Sequence, residues 1–191
     1  MDAAEFAVIL DQWQRAICDV IGSGGAGEDG VLEGEAGDAS GGGERWALVG
    51  IKRRGAILAG RVRESLVAAG HSLPYGEVDI SLYRDDYHLQ HSQPRVLGTE
   101  IPFAVDGMKI LLVDDVLFTG RTVRAAIDLL LDFGRPRVIQ LAVFIDRGHR
   151  ELPIAADLTG KIVVTQPGDR VKVRLAELGE ADGVRLILGA E

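Results

Sequence analysis

The stretch Lys109-Ile110-Leu111-Leu112-Val113-Asp114-Asp115-Val116-Leu117-Phe118-Thr119-Gly120-Arg121-Thr122 limits what this chain can fold into more than any other. Ile110 to Val113 is a short apolar run that reads as a buried strand, and the two carboxylates stand where that strand is expected to end. A turn follows, and Thr119-Gly120-Arg121-Thr122 opens a helix whose apolar positions are Val123, Ala126, Ile127, Leu130 and Leu131. Strand, acidic pair, small polar loop and helix together place ligand chemistry at the carboxyl end of a strand in an open α/β sheet. The loop offers backbone N–H groups and two hydroxyls at a helix N-terminus, where the helix dipole favours an anion such as phosphate. Gly120 lets the backbone approach a ligand closely. Ionised Asp114 and Asp115 accept hydrogen bonds only, which suits sugar hydroxyls or a hydrated Mg²⁺ beside that phosphate. The plainer reading is an acidic pair that merely ends a strand and caps a turn.

Residues 110–122 resemble the phosphoribosyl pyrophosphate (PRPP) motif of the type I phosphoribosyltransferases: four apolar residues, two acidic residues, then Thr-Gly-x-Thr. The resemblance implies that Asp114 and Asp115 hold the ribose 2′- and 3′-hydroxyls. It also implies that Val116, Leu117, Phe118, Thr119, Gly120, Arg121 and Thr122 form the PRPP-binding stretch, with the last four cradling the 5′-phosphate.

A second strand–loop–helix unit precedes this one. Trp46 to Ile51 reads as a buried strand, followed by Lys52, Arg53, Arg54 and Gly55 and by a helix with Ile57, Leu58, Val62 and Leu66 inward. Three basic residues can be no more than a solvated turn. Gly50-Ile51-Lys52-Arg53-Arg54-Gly55 nevertheless resembles the pyrophosphate loop of the same family, where cationic side chains and backbone donors stabilise a leaving pyrophosphate.

The remaining chain is read from its patterning. Asp11 is placed to cap a helix through about Ile21 with Trp13, Ala16, Ile17 and Val20 on its apolar face. Residues 22–43 hold ten glycines, five acidic residues and no Lys or Arg, a composition that predicts a flexible Gly-rich acidic insertion. Leu73 to Gly76 reads as a turn, and Glu77 to Tyr83 alternates as a half-exposed strand. Residues 84–99 turn polar, and a loop of that length suggests a lid over the substrate. His88 and His91 within it read as solvated loop histidines rather than metal ligands. Arg137 to Ile145, Lys161 to Val164, Arg170 to Leu175 and Val184 to Leu188 are expected to be strands.

Composition excludes several classes. A formal charge of −8 argues against a broad basic nucleic-acid surface, though not against a local patch. One cysteine, Cys18, permits no internal disulfide and fits a cytoplasmic setting. No apolar run approaches the roughly 20 residues that span a membrane, and the acidic N-terminus lacks a signal-peptide pattern. The length suits a single domain over residues 1–191.

The order of motifs narrows the family. The pyrophosphate loop, Asp79 to Asp86, the PRPP motif, Gly134-Arg135-Pro136 and Asp146-Arg147-Gly148-His149-Arg150-Glu151-Leu152-Pro153-Ile154 follow one another as they do in the PyrR family, pyrimidine operon attenuators that are also uracil phosphoribosyltransferases. This similarity runs from about residue 44 to 188 and implies a type I phosphoribosyltransferase fold. That fold is α/β, a central, mainly parallel sheet flanked by helices, with a small hood from the N- and C-terminal pieces. The implied reaction is uracil plus PRPP giving UMP and pyrophosphate, with Mg²⁺ carried by the substrate and no protein ligand assigned to it. Arg84 joins Asp114 and Asp115 in the catalytic set, entering from the lid. The resemblance also implies that the base lies near Arg147 and Val171 and that the assembly is a homo-oligomer. The family's RNA-binding role falls here on His149, Arg150 and Lys161. The first helix, however, carries only Arg15, and Ala155-Ala156 stands where the family usually has an arginine. Because RNA affinity leans on phosphate neutralisation, the expectation is weak binding, or none, to pyr leader RNA. Two alternatives stay open: a UMP-responsive RNA-binding attenuator, and a phosphoribosyltransferase for another base.

Overall fold

The computed structural model describes residues 1–23, 44–80 and 98–189. Most of the Gly-rich acidic insertion therefore lies outside the described residues, as does most of the polar stretch with Arg84, His88 and His91.

Five strands form one parallel sheet: β1 (Trp46–Ile51), β2 (Tyr75–Val78), β3 (Lys109–Leu117), β4 (Val138–Asp146) and β5 (Leu158–Ile162), in the order β2-β1-β3-β4-β5. All six residues of β1 are buried, the expected result for an interior parallel strand covered on both faces. Alternation splits the apolar residues between two cores. Trp46, Leu48, Leu111, Val113 and Phe144 face one side, where α1 (Ala3–Ser23) and α2 (Arg54–Ala68) pack. Ala47, Val49, Ile51, Ile110, Leu112 and Val143 face the other, against α3 (Arg121–Asp132). Two further strands, β6 (Arg170–Arg174) and β7 (Gly183–Ile187), make an antiparallel pair joined through a 3₁₀ turn at Ala176–Leu178. The N-terminal ammonium donates to the Val184 carbonyl at 3.2 Å, so the two chain ends meet.

The strand order positions the site. From β1 the chain passes through α2 to β2 on one side, then returns to the other side of β1 as β3. The reversal leaves a crevice beyond the carboxyl ends of β1 and β3, where ligands bind in open α/β sheets. The two loops singled out in the sequence follow β1 and β3 at those carboxyl ends.

Several boundaries differ from the sequence reading. The first helix starts at Ala3, not Asp11; Asp2 caps it, accepting the Glu5 N–H at 2.9 Å, and Asp11 is a mid-helix partner of Arg15. Phe6 extends the apolar face two turns earlier than expected and packs on Phe144 at 4.8 Å between ring centroids. β3 does not end at the acidic pair but runs through it to Leu117, because β4 continues to pair with it as far as Asp146. Tyr75 and Gly76 belong to β2 rather than to a turn, and the described part of that strand ends at Val78. In α3 it is Leu129 that is buried and Leu131 that is half exposed, since the helix turns its 123–126–129–130 face to the sheet.

Candidate active site

The acidic pair sits in the sheet rather than at its margin. Asp114 is 5% exposed, and its Oδ1 accepts the Asp115 N–H at 2.9 Å. Burial pushes its carboxyl well above the ordinary range, and the neighbouring Asp115 charge adds to the shift. Asp115 is half buried, and burial raises it too, against the opposing pull of the Arg54 guanidinium. Two adjacent carboxylates kept from water and short of cations form a site that gains by taking up hydroxyl donors or a cation.

Behind the pair, α2 comes close. A Cβ at Gly55 would stand 2.6 Å from the Val113 carbonyl oxygen and 2.9 Å from the Asp114 Cα, so only glycine lets the first turn of α2 reach β3 here. That contact carries Arg54 to the acidic pair. Arg53 is the N-cap residue of α2, and the Lys52–Arg53 peptide is cis.

The phosphate-type loop follows Leu117. Gly120 caps α3 with φ of +91°, a left-handed conformation suited to glycine, and a side chain there would also crowd Ile154. The Thr119 carbonyl accepts the N–H groups of Glu151 and Leu152 at 3.0 and 3.1 Å, and the Arg121 guanidinium pairs with Glu151 at 2.7 Å. The 148–154 segment is thus laced to the loop. A cavity of about 530 Å³ is lined by Ile80, Asp114, every residue from Val116 to Thr122 and the following turn of α3. Its described lining does not include Asp115, Lys52, Arg53, Arg54, Arg147 or Val171.

Arg147 is a buried residue, 5% exposed, not a surface ion pair. Its Nη1 donates to the Asp169 carbonyl at 2.7 Å and its Nη2 to the Gln166 carbonyl at 3.2 Å, and the guanidinium lies 4.0 Å from the centre of the Phe118 ring. Its Nε is buried without a partner among the described residues. His149 sits edge-on to the same ring at 6.2 Å, and its Nε2 is 2.8 Å from the Thr165 carbonyl oxygen. Val171, in β6, stands two residues beyond Asp169 and packs on the α1–α2 side of the core.

Two of the cations assigned to RNA already have protein partners, Arg150 in the fold and Lys161 at the surface. Arg150 donates to the carbonyls of Ile154 (3.0 Å), Phe118 (2.9 Å) and Gly148 (3.1 Å) and pairs with Asp146. Burial works against the Asp146 charge, but Arg150 and the Gly148 N–H outweigh it and hold its carboxyl below the usual range. Lys161 pairs with Glu5 of α1. The supporting carboxylates Asp146 and Asp169 were not assigned from sequence. Asp169 accepts the N–H groups of Gln166 and Gly189 at 2.7 and 3.0 Å, which lower its pKa. Gln166-Pro167-Gly168-Asp169 is a turn signature that could have flagged it.

With this geometry in view, the comparisons with known proteins converge. The family model described as "Phosphoribosyl transferase domain" matches residues 33–171. The protein called "Bifunctional protein PyrR" from Roseiflexus sp. (strain RS-1) is 54% identical over 143 residues, covering 74% of this chain and 78% of that protein. The protein of the same description from Listeria monocytogenes serovar 1/2a is 52% identical over 145 residues, covering 74% and 79%. The chain belongs to the PyrR family of type I phosphoribosyltransferases. Among solved structures, hypoxanthine phosphoribosyltransferase of Trypanosoma cruzi superposes with a TM-score of 0.68 over 100% of this chain and 95% of that one, at 14% identity. A Staphylococcus aureus hypoxanthine phosphoribosyltransferase gives 0.58 over 88% and 77%, at 15% identity. At that level of identity these two establish the fold alone.

A divalent ion of the kind phosphoribosyltransferases generally use fits the PyrR-family site chemically. Asp114 and Asp115 are hard oxygen donors whose joint charge is under-compensated. Among the described residues no group of three or more His, Cys, Asp or Glu could cage a metal, so such an ion would share its coordination with ligand oxygens and water. Among the described residues, no helix is long and apolar enough to cross a membrane.

Proposed function

We propose that this chain is a uracil phosphoribosyltransferase that converts uracil and PRPP to UMP and pyrophosphate, with Mg²⁺ entering on the substrate. The observation that carries this reading is the single cavity at the N-terminus of α3 lined by both Asp114 and the Val116–Thr122 loop. An anion-binding helix start and a hydroxyl-binding carboxylate at one opening suit a ribose 5-phosphate held at both ends. In this reading Asp114 and Asp115 take the ribose hydroxyls and Thr119–Thr122 the 5′-phosphate. Lys52, Arg53 and Arg54, with Arg84, take the pyrophosphate, and Arg147 and Val171 border the base. Mg²⁺ offsets phosphate charge when bound; the protein's part is orientation and electrostatic stabilisation of an oxocarbenium-like state, with no covalent intermediate. A cytoplasmic homo-oligomer goes with this reading.

The test is UMP formation from uracil and PRPP with Mg²⁺, wild type against Asp114→Asn/Asp115→Asn. Activity in the wild type and its loss in the double variant are the expected result. A wild type that neither forms UMP nor binds PRPP overturns the reading. Competition among uracil, hypoxanthine and orotate in the same assay decides the base. A second reading, a UMP-responsive RNA-binding attenuator, is favoured by the word "bifunctional" in the description of the relatives. A gel shift with pyr leader RNA, with and without UMP, tests it.

A further inference from the structure

Lys52 has been given to pyrophosphate, yet its ammonium already has two partners. It lies 3.1 Å from Glu77 Oε2 and donates to the Gly98 carbonyl at 2.5 Å. The other carboxylate oxygen of Glu77, Oε1, is 2.9 Å from the Tyr75 hydroxyl, which is also 3.1 Å from the Ala56 carbonyl oxygen. Ala56 belongs to the first turn of α2, immediately after Arg53, Arg54 and Gly55. A polar chain therefore runs from Gly98 through Lys52 and Glu77 to Tyr75, whose one hydroxyl proton is shared between Glu77 and the Ala56 carbonyl, so the loop carrying Arg53 and Arg54 has contacts at both of its ends. The backbone reinforces the arrangement: the Lys52 N–H donates to the Val78 carbonyl at 2.8 Å, and Glu77 exchanges two 2.8 Å hydrogen bonds with Glu100. Burial and then the hydrogen bond to Glu77 push the Tyr75 hydroxyl's pKa up, so it stays a donor. The Arg63 guanidinium lies over the Tyr75 ring, 5.3 Å from its centre.

None of these atoms lines the cavity at α3. What the chain of contacts does is restrict where the cationic loop can sit. Orienting charge before substrate arrives is the efficient way to stabilise an anion, because no reorganisation is then needed on binding. A carboxylate in contact with Lys52 also offsets part of the loop's positive charge.

We propose that Glu77 is a positioning residue of the pyrophosphate site: bridging Lys52 and Tyr75, it holds the Lys52–Arg54 loop in its binding geometry. This rests on the phosphoribosyltransferase reading above. The experiment is steady-state kinetics with uracil and PRPP varied separately, together with pyrophosphate binding to the full chain by calorimetry, for wild type, Glu77→Gln, Glu77→Ala, Tyr75→Phe and Lys52→Ala. Glu77→Ala is expected to raise the KM for PRPP and the Kd for pyrophosphate by about tenfold, with the KM for uracil and kcat within about twofold. Glu77→Gln keeps the contact with Tyr75 and is expected to lose less than Glu77→Ala. The double variant Glu77→Ala/Lys52→Ala is expected to be no worse than the poorer single, because both belong to one chain of contacts. A general loss of structure would raise both KM values together and lower the melting temperature. That outcome overturns the proposal, as do unchanged PRPP and pyrophosphate affinities in a well-folded Glu77→Ala. If wild type binds no PRPP at all, the phosphoribosyltransferase reading falls first and this one with it.

Discussion

Asp114 shows at the scale of one residue how this fold trades stability for a binding site. Its carboxyl is buried next to a second carboxylate, and both circumstances raise its pKa in the folded state. The folded value lies above the unfolded one of about 3.9. The stability this group contributes is therefore fully present below the unfolded value and is lost as pH rises through the folded one. At neutral pH its charge is a burden on the ligand-free fold. Asp114→Asn is expected to stabilise the ligand-free protein by about 1 kcal/mol at pH 7.5. The difference from wild type should shrink toward pH 4, where both side chains are neutral; urea melts across that range check the sign. The same variant should lose roughly a hundredfold in kcat/KM if the carboxylate meets the ribose. Arg147 is the opposite case. A buried guanidinium with two carbonyl acceptors and a stacked ring is worth keeping only where all its partners stay. Arg147→Ala should cost about 3 kcal/mol in denaturant stability.

At the scale of elements, two close approaches matter, one at the site and one in the core. The first turn of α2 touches β3 through Gly55, and nothing larger fits against the Val113 carbonyl. Gly55→Ala should cost roughly 2 kcal/mol of stability, as overpacking does, and should weaken PRPP binding by shifting Arg54 from the acidic pair; isothermal titration and urea unfolding read the two effects separately. The second is the grip of α1 on the sheet. Phe6 and Trp13 meet Phe144 at 4.8 and 5.6 Å between ring centroids, far from the cavity. Phe6→Ala should lower stability by about 3 kcal/mol while leaving kcat at 20 °C near the wild-type value. Helix α1 is thus a core layer as well as part of the terminal hood, for Met1 also reaches Val184.

At the scale of the whole molecule, charge decides what partners the surface invites. The net charge is −8, Lys161 is paired to Glu5, and Arg150 is spent on backbone carbonyls and Asp146. Binding to pyr leader RNA is expected to be weak and to vanish with modest salt, because two of the three residues assigned to it already have protein partners and the net charge repels phosphate. Filter binding between about 50 and 200 mM salt measures this. Tight, UMP-stimulated retention would instead favour the attenuator reading.

Local order dictated much of this protein. The apolar run 110–113, the acidic pair, the small loop and the amphipathic helix lie next to one another in the chain, so their geometry follows from short-range rules of strand, turn and helix start. The family pattern was legible for the same reason. What adjacency could not say was where β3 stops, since pairing with β4 carries it past the aspartates. Nor could it say which face of α3 turns inward, or that Asp2 rather than Asp11 starts the first helix. The Gly98–Lys52–Glu77–Tyr75–Ala56 chain, the burial of Arg147 and the internal use of Arg150 join residues far apart in sequence. Only the tertiary structure decided them, because a charge's partners and its distance from water are properties of packing, not of sequence neighbours.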